Sequence, residues 1–355
     1  MTRRSVPTLW LALVAFTFLP ALPLDGQDTP ETAVLAGALL RVEYALRDRP
    51  PSALERAEVN RAFDRATLAF FAGQVEAVVE AMDLLAARIE PDPSLRARHR
   101  TQADDVLAAL PGRRRILGGE HAPIPYRLHG PGRDGSGHAG PGGDGSGQDG
   151  SGRDGSGHGG PTRDGPGGAP PEGGGYPVVV ALHGAGGNEH MFLEAYGAGR
   201  LADLAEEIGF VVISPSTSAL AAAPEGLAGL LDAAEAEFPI DRTRVHLLGH
   251  SMGAGAAWSL VTRDPGVARA VACLAGPCGA GVGRGGSGAP GGWPAVLVVG
   301  GALDPLAPPA RLEAVAAQGR EQGVDVELRI EENEGHTLLV GAVLDEVIAW
   351  LLARR

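Results

Sequence analysis

The sequence predicts an α/β protein in which a mainly parallel, doubly wound sheet follows a helical N-terminal region. Two observations carry that reading. From residue 176 onward, short apolar runs alternate with amphipathic stretches, the rhythm of a parallel sheet covered by helices on both faces. Between residues 31 and 110, by contrast, apolar residues recur at spacings of three and four, the period of helices.

The first segment opens with Arg3 and Arg4, continues as an apolar run broken by Pro20 and Pro23, and turns polar at Asp25. A charged head, an apolar middle and a small-residue exit predict a signal peptide over residues 1–26, hence a secreted or periplasmic protein with no stable membrane span after cleavage. Residues 27–115 form the predicted helical region. Val34, Leu35, Leu39, Val42 and Leu46 make one stripe, ended by Pro50 and Pro51. Ser52 and Glu55 form a capping box opening a helix that Gly73 stops. A third helix spans residues 75–89, with Val75, Val78, Val79, Met82, Leu85 and Ile89 on one face. A shorter fourth covers 95–110. Such stripes read as the core of a small bundle.

Residues 116–355 form the predicted main domain, interrupted by a glycine-rich insert at 130–175. Asp-Gly pairs recur there without apolar residues to bury, which predicts a disordered surface loop. Strands are predicted at residues 124–128, 178–182, 210–213, 245–248, 270–274, 295–299 and 326–330. Helices are predicted within 191–208, over 227–238, after Ser251, and over 309–322 and 338–352.

The strand at 245–248 runs into Gly249-His250-Ser251-Met252-Gly253 and then a helical pattern. A G-x-S-x-G between strand and helix predicts a tight turn that projects the serine hydroxyl, with the helix N-terminus facing any anion formed there. In a chain of 54 glycines the pattern alone means little; its strand-helix setting gives it weight. Asp304 follows the strand at 295–299, and His336 follows the strand at 326–330. In parallel sheets, chemistry gathers at the carboxyl ends of strands. A serine hydroxyl needs a base that titrates near neutrality, and histidine is that residue. Ser251 is thus the expected nucleophile, His336 its base and Asp304 the carboxylate that orients the imidazole. His183-Gly184-Ala185-Gly186-Gly187 follows the first long strand and turns backbone N–H groups toward the serine. The expected oxyanion donors are the N–H groups of Ala185, Gly186 and Met252. The loops at 214–225 and 276–292 are expected to border the substrate pocket.

A net charge of −13 without a basic patch argues against a nucleic-acid partner, and the absence of lysine excludes Schiff-base and Ser-Lys chemistry. No metal or organic cofactor is expected. Cys273 and Cys278, the only cysteines, are compatible either with a disulfide or with two buried thiols. Oligomeric state is not legible.

From residue 126 to the C-terminus, the motifs ALHGAGG, GHSMG, GALDP and EGHT resemble the α/β-hydrolase superfamily, in the order Ser251, Asp304, His336. Within it the chain looks most like secreted serine esterases of the polyhydroxybutyrate-depolymerase, feruloyl-esterase and dienelactone-hydrolase type. The resemblance implies hydrolysis of a carboxylic ester through an acyl-enzyme. Prolyl-oligopeptidase-type serine peptidases share this half but usually carry an N-terminal propeller, whereas this N-terminus reads as helical. A non-catalytic secreted binding protein on the same fold is the other alternative.

Overall fold

The computed structural model describes residues 30–119, 122–132, 174–281 and 292–354. The segment read as a signal peptide and nearly all of the glycine-rich insert lie outside the described residues. Four helices come first: α1 (Pro30–Asp48), α2 (Ala53–Phe71), α3 (Val75–Ile89) and α4 (Pro93–Arg113). The capping box at Ser52 and Glu55 is present, with Ser52 N–H donating to Glu55 Oε2 at 3.0 Å. The fourth helix runs past Pro111, where a break was expected. Proline there removes only one bond near the helix end, and the Arg113 guanidinium is anchored to Glu194 at 2.8 Å.

Leu39, Leu40, Val42, Phe63, Val78 and Met82 pack into one core. Ala195, Ala198 and Leu338 of the following domain belong to the same cluster, so the bundle and the sheet domain share buried surface. Each large side chain buried this way contributes about 1.5–3 kcal/mol of transfer free energy.

The sheet has eight strands: β1 (Arg115–Leu117), β2 (Ile124–His129), β3 (Tyr176–Leu182), β4 (Val211–Pro215), β5 (Ile240–His250), β6 (Ala270–Leu274), β7 (Ala295–Gly301) and β8 (Val326–Glu331). Their order is β1-β2-β4-β3-β5-β6-β7-β8. β2 pairs antiparallel with both β1 and β4, and all other neighbours are parallel, so β2 alone runs against the rest of the sheet. The three-residue β1 was not expected, since so short an edge strand has no periodicity to read. β5 begins earlier than its apolar run, because its first residues are polar and partly exposed.

Helices cover both faces. In β3, Val178, Val180 and Leu182 face one core, joined by α7 (Gly226–Glu235), α8 (Met252–Arg263) and α9 (Pro309–Glu321), while Val179 and Ala181 face the other. That second core is closed by α5 (Arg200–Ile208) and α10 (Leu339–Leu352). α6 is a short helix at Thr217–Ala222. The helix expected within 191–208 is only half regular: a π turn at Met191–Ala195 and a 3-10 turn at Tyr196–Gly199 precede α5. Gly197 and Ala198 take positive φ there, which breaks the helical path. This is the mainly parallel, doubly wound sheet with an N-terminal helical region that the sequence implied, in the strand order of the α/β-hydrolase fold.

Candidate active site

β5 sits at the centre of the sheet, between β3 and β6, so its carboxyl end opens onto the middle of one rim. There Ser251 adopts φ 52° and ψ −113°, a conformation that a residue with a side chain rarely takes. The strain is held by packing. Ser251 N–H donates to Leu274 O at 2.8 Å, and a Cβ added to Gly253 would stand 1.9 Å from Leu182 O. Only glycine lets α8 start so close to β3.

The three residues expected to converge do so. Ser251 Oγ lies 2.9 Å from His336 Nε2, and His336 Nδ1 lies 2.8 Å from Asp304 Oδ2. A carboxylate only accepts, so Nδ1 carries the proton and Nε2 is left to accept from the serine. Asp304 Oδ1 is held by the N–H groups of Leu306 at 2.7 Å and Ala307 at 2.8 Å, which keeps the carboxylate aimed at the imidazole. Asp304 and His336 are both 3% exposed, whereas Ser251 is reachable from solvent. Glu334, the other carboxylate close to His336 in sequence, is committed elsewhere, in an ion pair with Arg56 at 2.8 Å.

Ala185 and Gly186 lie on the exposed turn after β3 and share a cavity with Ser251. Met252 begins α8, so its N–H belongs to the first turn and lacks a helical partner. Two buried histidines that the sequence reading passed over position these groups. His183 Nδ1–H donates to Gly184 O at 2.8 Å, and its Nε2 accepts from Thr217 N–H at 3.0 Å. Burial lowers its pKa to about 4, so it is neutral and serves as a strut for the turn. His250 Nε2–H donates to His336 O at 3.1 Å, while its Nδ1 accepts from Tyr196 Oη–H at 2.8 Å. Burial, reinforced by the neighbouring His336, holds His250 well below the usual histidine range.

The bundle reaches this site directly. Arg56, Asn60 and Asp64 recur every four residues along α2 and face the loop that carries His336. Arg56 binds both oxygens of Glu334 at 2.8 and 2.9 Å. Asn60 donates to Asn333 O at 2.8 Å and accepts from Gly335 N–H at 2.9 Å. Asp64 accepts the His336 backbone N–H. The only sequence signal for this brace was a polar stripe beside the apolar one on α2.

A cavity of about 170 Å³ opens at Ser251, His250, His336 and Thr337 and continues into the bundle. Leu39, Phe63, Phe70, Val78, Met82 and Val106 are among its walls. The helical stripes therefore build a core and line a pocket at once. The loops at 214–225 and 276–292 do not border it among the described residues, contrary to the sequence expectation. Residues of the bundle supply much of its wall instead.

Among the described residues, no group of three or more His, Cys, Asp or Glu could hold a metal ion, and no helix is long and apolar enough to cross a membrane. Cys273 and Cys278 are joined by a disulfide.

No family model matches the chain, and no curated protein matches it. Solved structures do. An S-formylglutathione hydrolase from Agrobacterium tumefaciens is 16% identical, with a TM-score of 0.45 over 68% of this chain and 94% of that one. A ferulic acid esterase is also 16% identical, with a TM-score of 0.40 over 50% of this chain and 85% of that one. A thermostable esterase is 17% identical, with a TM-score of 0.44; the match covers 68% of this chain and 62%, less than two thirds, of that one. The strand order and the serine turn after β5 are those of the α/β-hydrolase fold.

Proposed function

We propose that the protein is a serine hydrolase that cleaves carboxylic esters through an acyl-enzyme intermediate. The observation that carries this reading is the unbroken hydrogen-bonded chain from Ser251 Oγ through His336 to Asp304 Oδ2. Ser251 Oγ attacks the ester carbonyl as His336 Nε2 takes its proton, and the buried Asp304 stabilises the imidazolium. The N–H groups of Ala185, Gly186 and Met252 receive the developing oxyanion. His336 then protonates the departing alcohol. In the second half, water takes the alcohol's place: His336 removes its proton, hydroxide attacks the acyl carbonyl, and Ser251 leaves with the proton returned.

Export belongs to the same proposal. It is supported by the charged and apolar pattern of residues 1–26 and by the Cys273–Cys278 disulfide, a bond favoured in oxidising compartments. N-terminal sequencing of the mature protein tests it, and a mature chain starting at Met1 would refute it.

A fluorophosphonate probe followed by peptide mapping tests the chemistry. Labelling at Ser251, with p-nitrophenyl ester turnover lost in Ser251→Ala and an unchanged melting temperature, is the expected result. Turnover unaffected by Ser251→Ala would end the proposal, and a chain that neither labels nor turns over esters would be a binding protein on this fold.

A further inference from the structure

The cavity at Ser251 also speaks to what the ester carries. It is one continuous space lined on one side by Ser251, His336, Ala185 and Gly186 and on the other by residues of α1–α4. A group that fills those walls is part of the bound ester, and an acyl group stays there, bonded to Ser251, after the alcohol departs. On the bundle side the lining is aliphatic or aromatic except for Thr67, and Thr67 already donates its hydroxyl to Phe63 O at 3.2 Å. No charged group of the bundle projects into it: Arg56 is bound to Glu334, and Asp64 to the His336 N–H. The polar residues on the sheet side of the lining are already engaged: Asn188 Oδ1 accepts from His190 N–H, Glu194 pairs with Arg113 and Arg127, and Tyr196 donates to His250. A polar acyl group would therefore lose its hydration for little in return. An apolar one would gain the full burial term.

The size narrows the choice. An apolar cavity of about 150 Å³ holds one benzene ring, and this one measures about 170 Å³. It therefore suits a straight acyl chain of roughly six to eight carbons, reaching between Phe70 beside the oxyanion turn and Val78, Met82 and Val106 in the bundle. A hydroxycinnamoyl group would place its phenolic hydroxyl against carbon.

We infer that the N-terminal bundle is the acyl-binding pocket of the enzyme and selects unbranched medium-chain acyl esters over acetyl and hydroxycinnamoyl esters. The inference rests on the ester-hydrolase reading above.

The test uses the full chain with p-nitrophenyl acetate, butyrate, hexanoate, octanoate and laurate, together with methyl ferulate. kcat/KM is expected to rise roughly threefold to fourfold per methylene up to hexanoate or octanoate and then to stop rising, with methyl ferulate below octanoate. Val78→Phe, which fills the pocket, lowers the octanoate-to-acetate ratio about tenfold. Met82→Ala, which enlarges it, moves the preferred length upward. Circular dichroism identifies a variant that fails to fold, and the native series then decides alone. Acetate or methyl ferulate turned over as well as octanoate, with Ser251 labelling intact, overturns the pocket assignment and leaves the hydrolase standing. A folded Val78→Phe with the native ratio also overturns it. Loss of labelling and of all ester turnover would instead remove the underlying function.

Discussion

The carboxylate of Asp64, in the second helix of the N-terminal bundle, accepts the backbone N–H of His336 at 3.1 Å and 3.2 Å. The helical region is therefore part of the support of the candidate base, in addition to packing against the domain that carries it. The oxygens of Asp64 fix the start of the histidine's peptide, while His250 holds its carbonyl from the other side. An imidazole clamped at both ends of its own residue keeps Nε2 within 2.9 Å of Ser251 Oγ.

Removal of that clamp should be felt in turnover more than in binding. Asp64→Ala is expected to lower kcat for an ester about tenfold to a hundredfold, with KM nearly unchanged. Asp64→Asn, which keeps one acceptor oxygen, restores most of it. Steady-state kinetics on the folded variants decides, and native kcat in Asp64→Ala would show that the clamp does not matter.

Glu43 sets a pH dependence on stability. Burial, opposed in part by the Arg56 charge, raises its carboxyl from 4.5 to about 7, and its Oε1 has no hydrogen-bond partner among the described residues. Between those two values the native state keeps a proton that the unfolded chain has released, so this group's contribution to stability falls as pH rises through the window. Glu43→Gln should stabilise the protein by on the order of 2 kcal/mol at about pH 8. The gain should vanish by about pH 4, where both states hold the proton. Urea melts at the two pH values measure it; an equal effect at both would disprove the assignment.

Two glycines two positions apart in α8 should respond in opposite ways. Gly253 meets Leu182 O at 1.9 Å if given a Cβ, whereas Gly255, on the exposed side of α8, meets nothing within 4 Å. Gly253→Ala is expected to cost more than about 3 kcal/mol and abolish fluorophosphonate labelling. Gly255→Ala should stabilise by about 1 kcal/mol through helix propensity and label normally. Thermal melts and labelling of the pair distinguish them, and similar behaviour in both would contradict the close packing of α8 on β3.

The Cys273–Cys278 disulfide closes a short loop behind the serine turn, whose Leu274 carbonyl accepts from Ser251 N–H. Replacing both cysteines by alanine should lower stability by about 2 kcal/mol, the entropy of so small a loop. Denaturant titration with and without reductant checks this: the native protein should lose a comparable amount on reduction and the double variant nothing.

Much of the fold was legible because its information is local. Strands such as Ala270–Leu274 are short apolar runs, and the helices carry an apolar stripe at their own period. Ser251, Asp304 and His336 were legible for a related reason: each stands directly after a strand, and strand ends in a parallel sheet share one rim. The irregular turns between Met191 and Gly199 carried no such period, and β1 was too short to have one.

What the sequence determined by itself is the alternation of the main strands and helices, the serine at the tip of its turn, and Asp304 and His336 in the loops that follow later strands. Tertiary structure alone decided that Arg56, Asn60 and Asp64 brace the His336 loop from more than two hundred residues away, and that Leu39, Val78 and Met82 face a cavity as well as a core. The reason is physical. Periodicity says which face of a helix is apolar, but a face buried against neighbouring side chains and one that lines an open space beside a serine have the same pattern. Only the placement of the bundle against the sheet separates them.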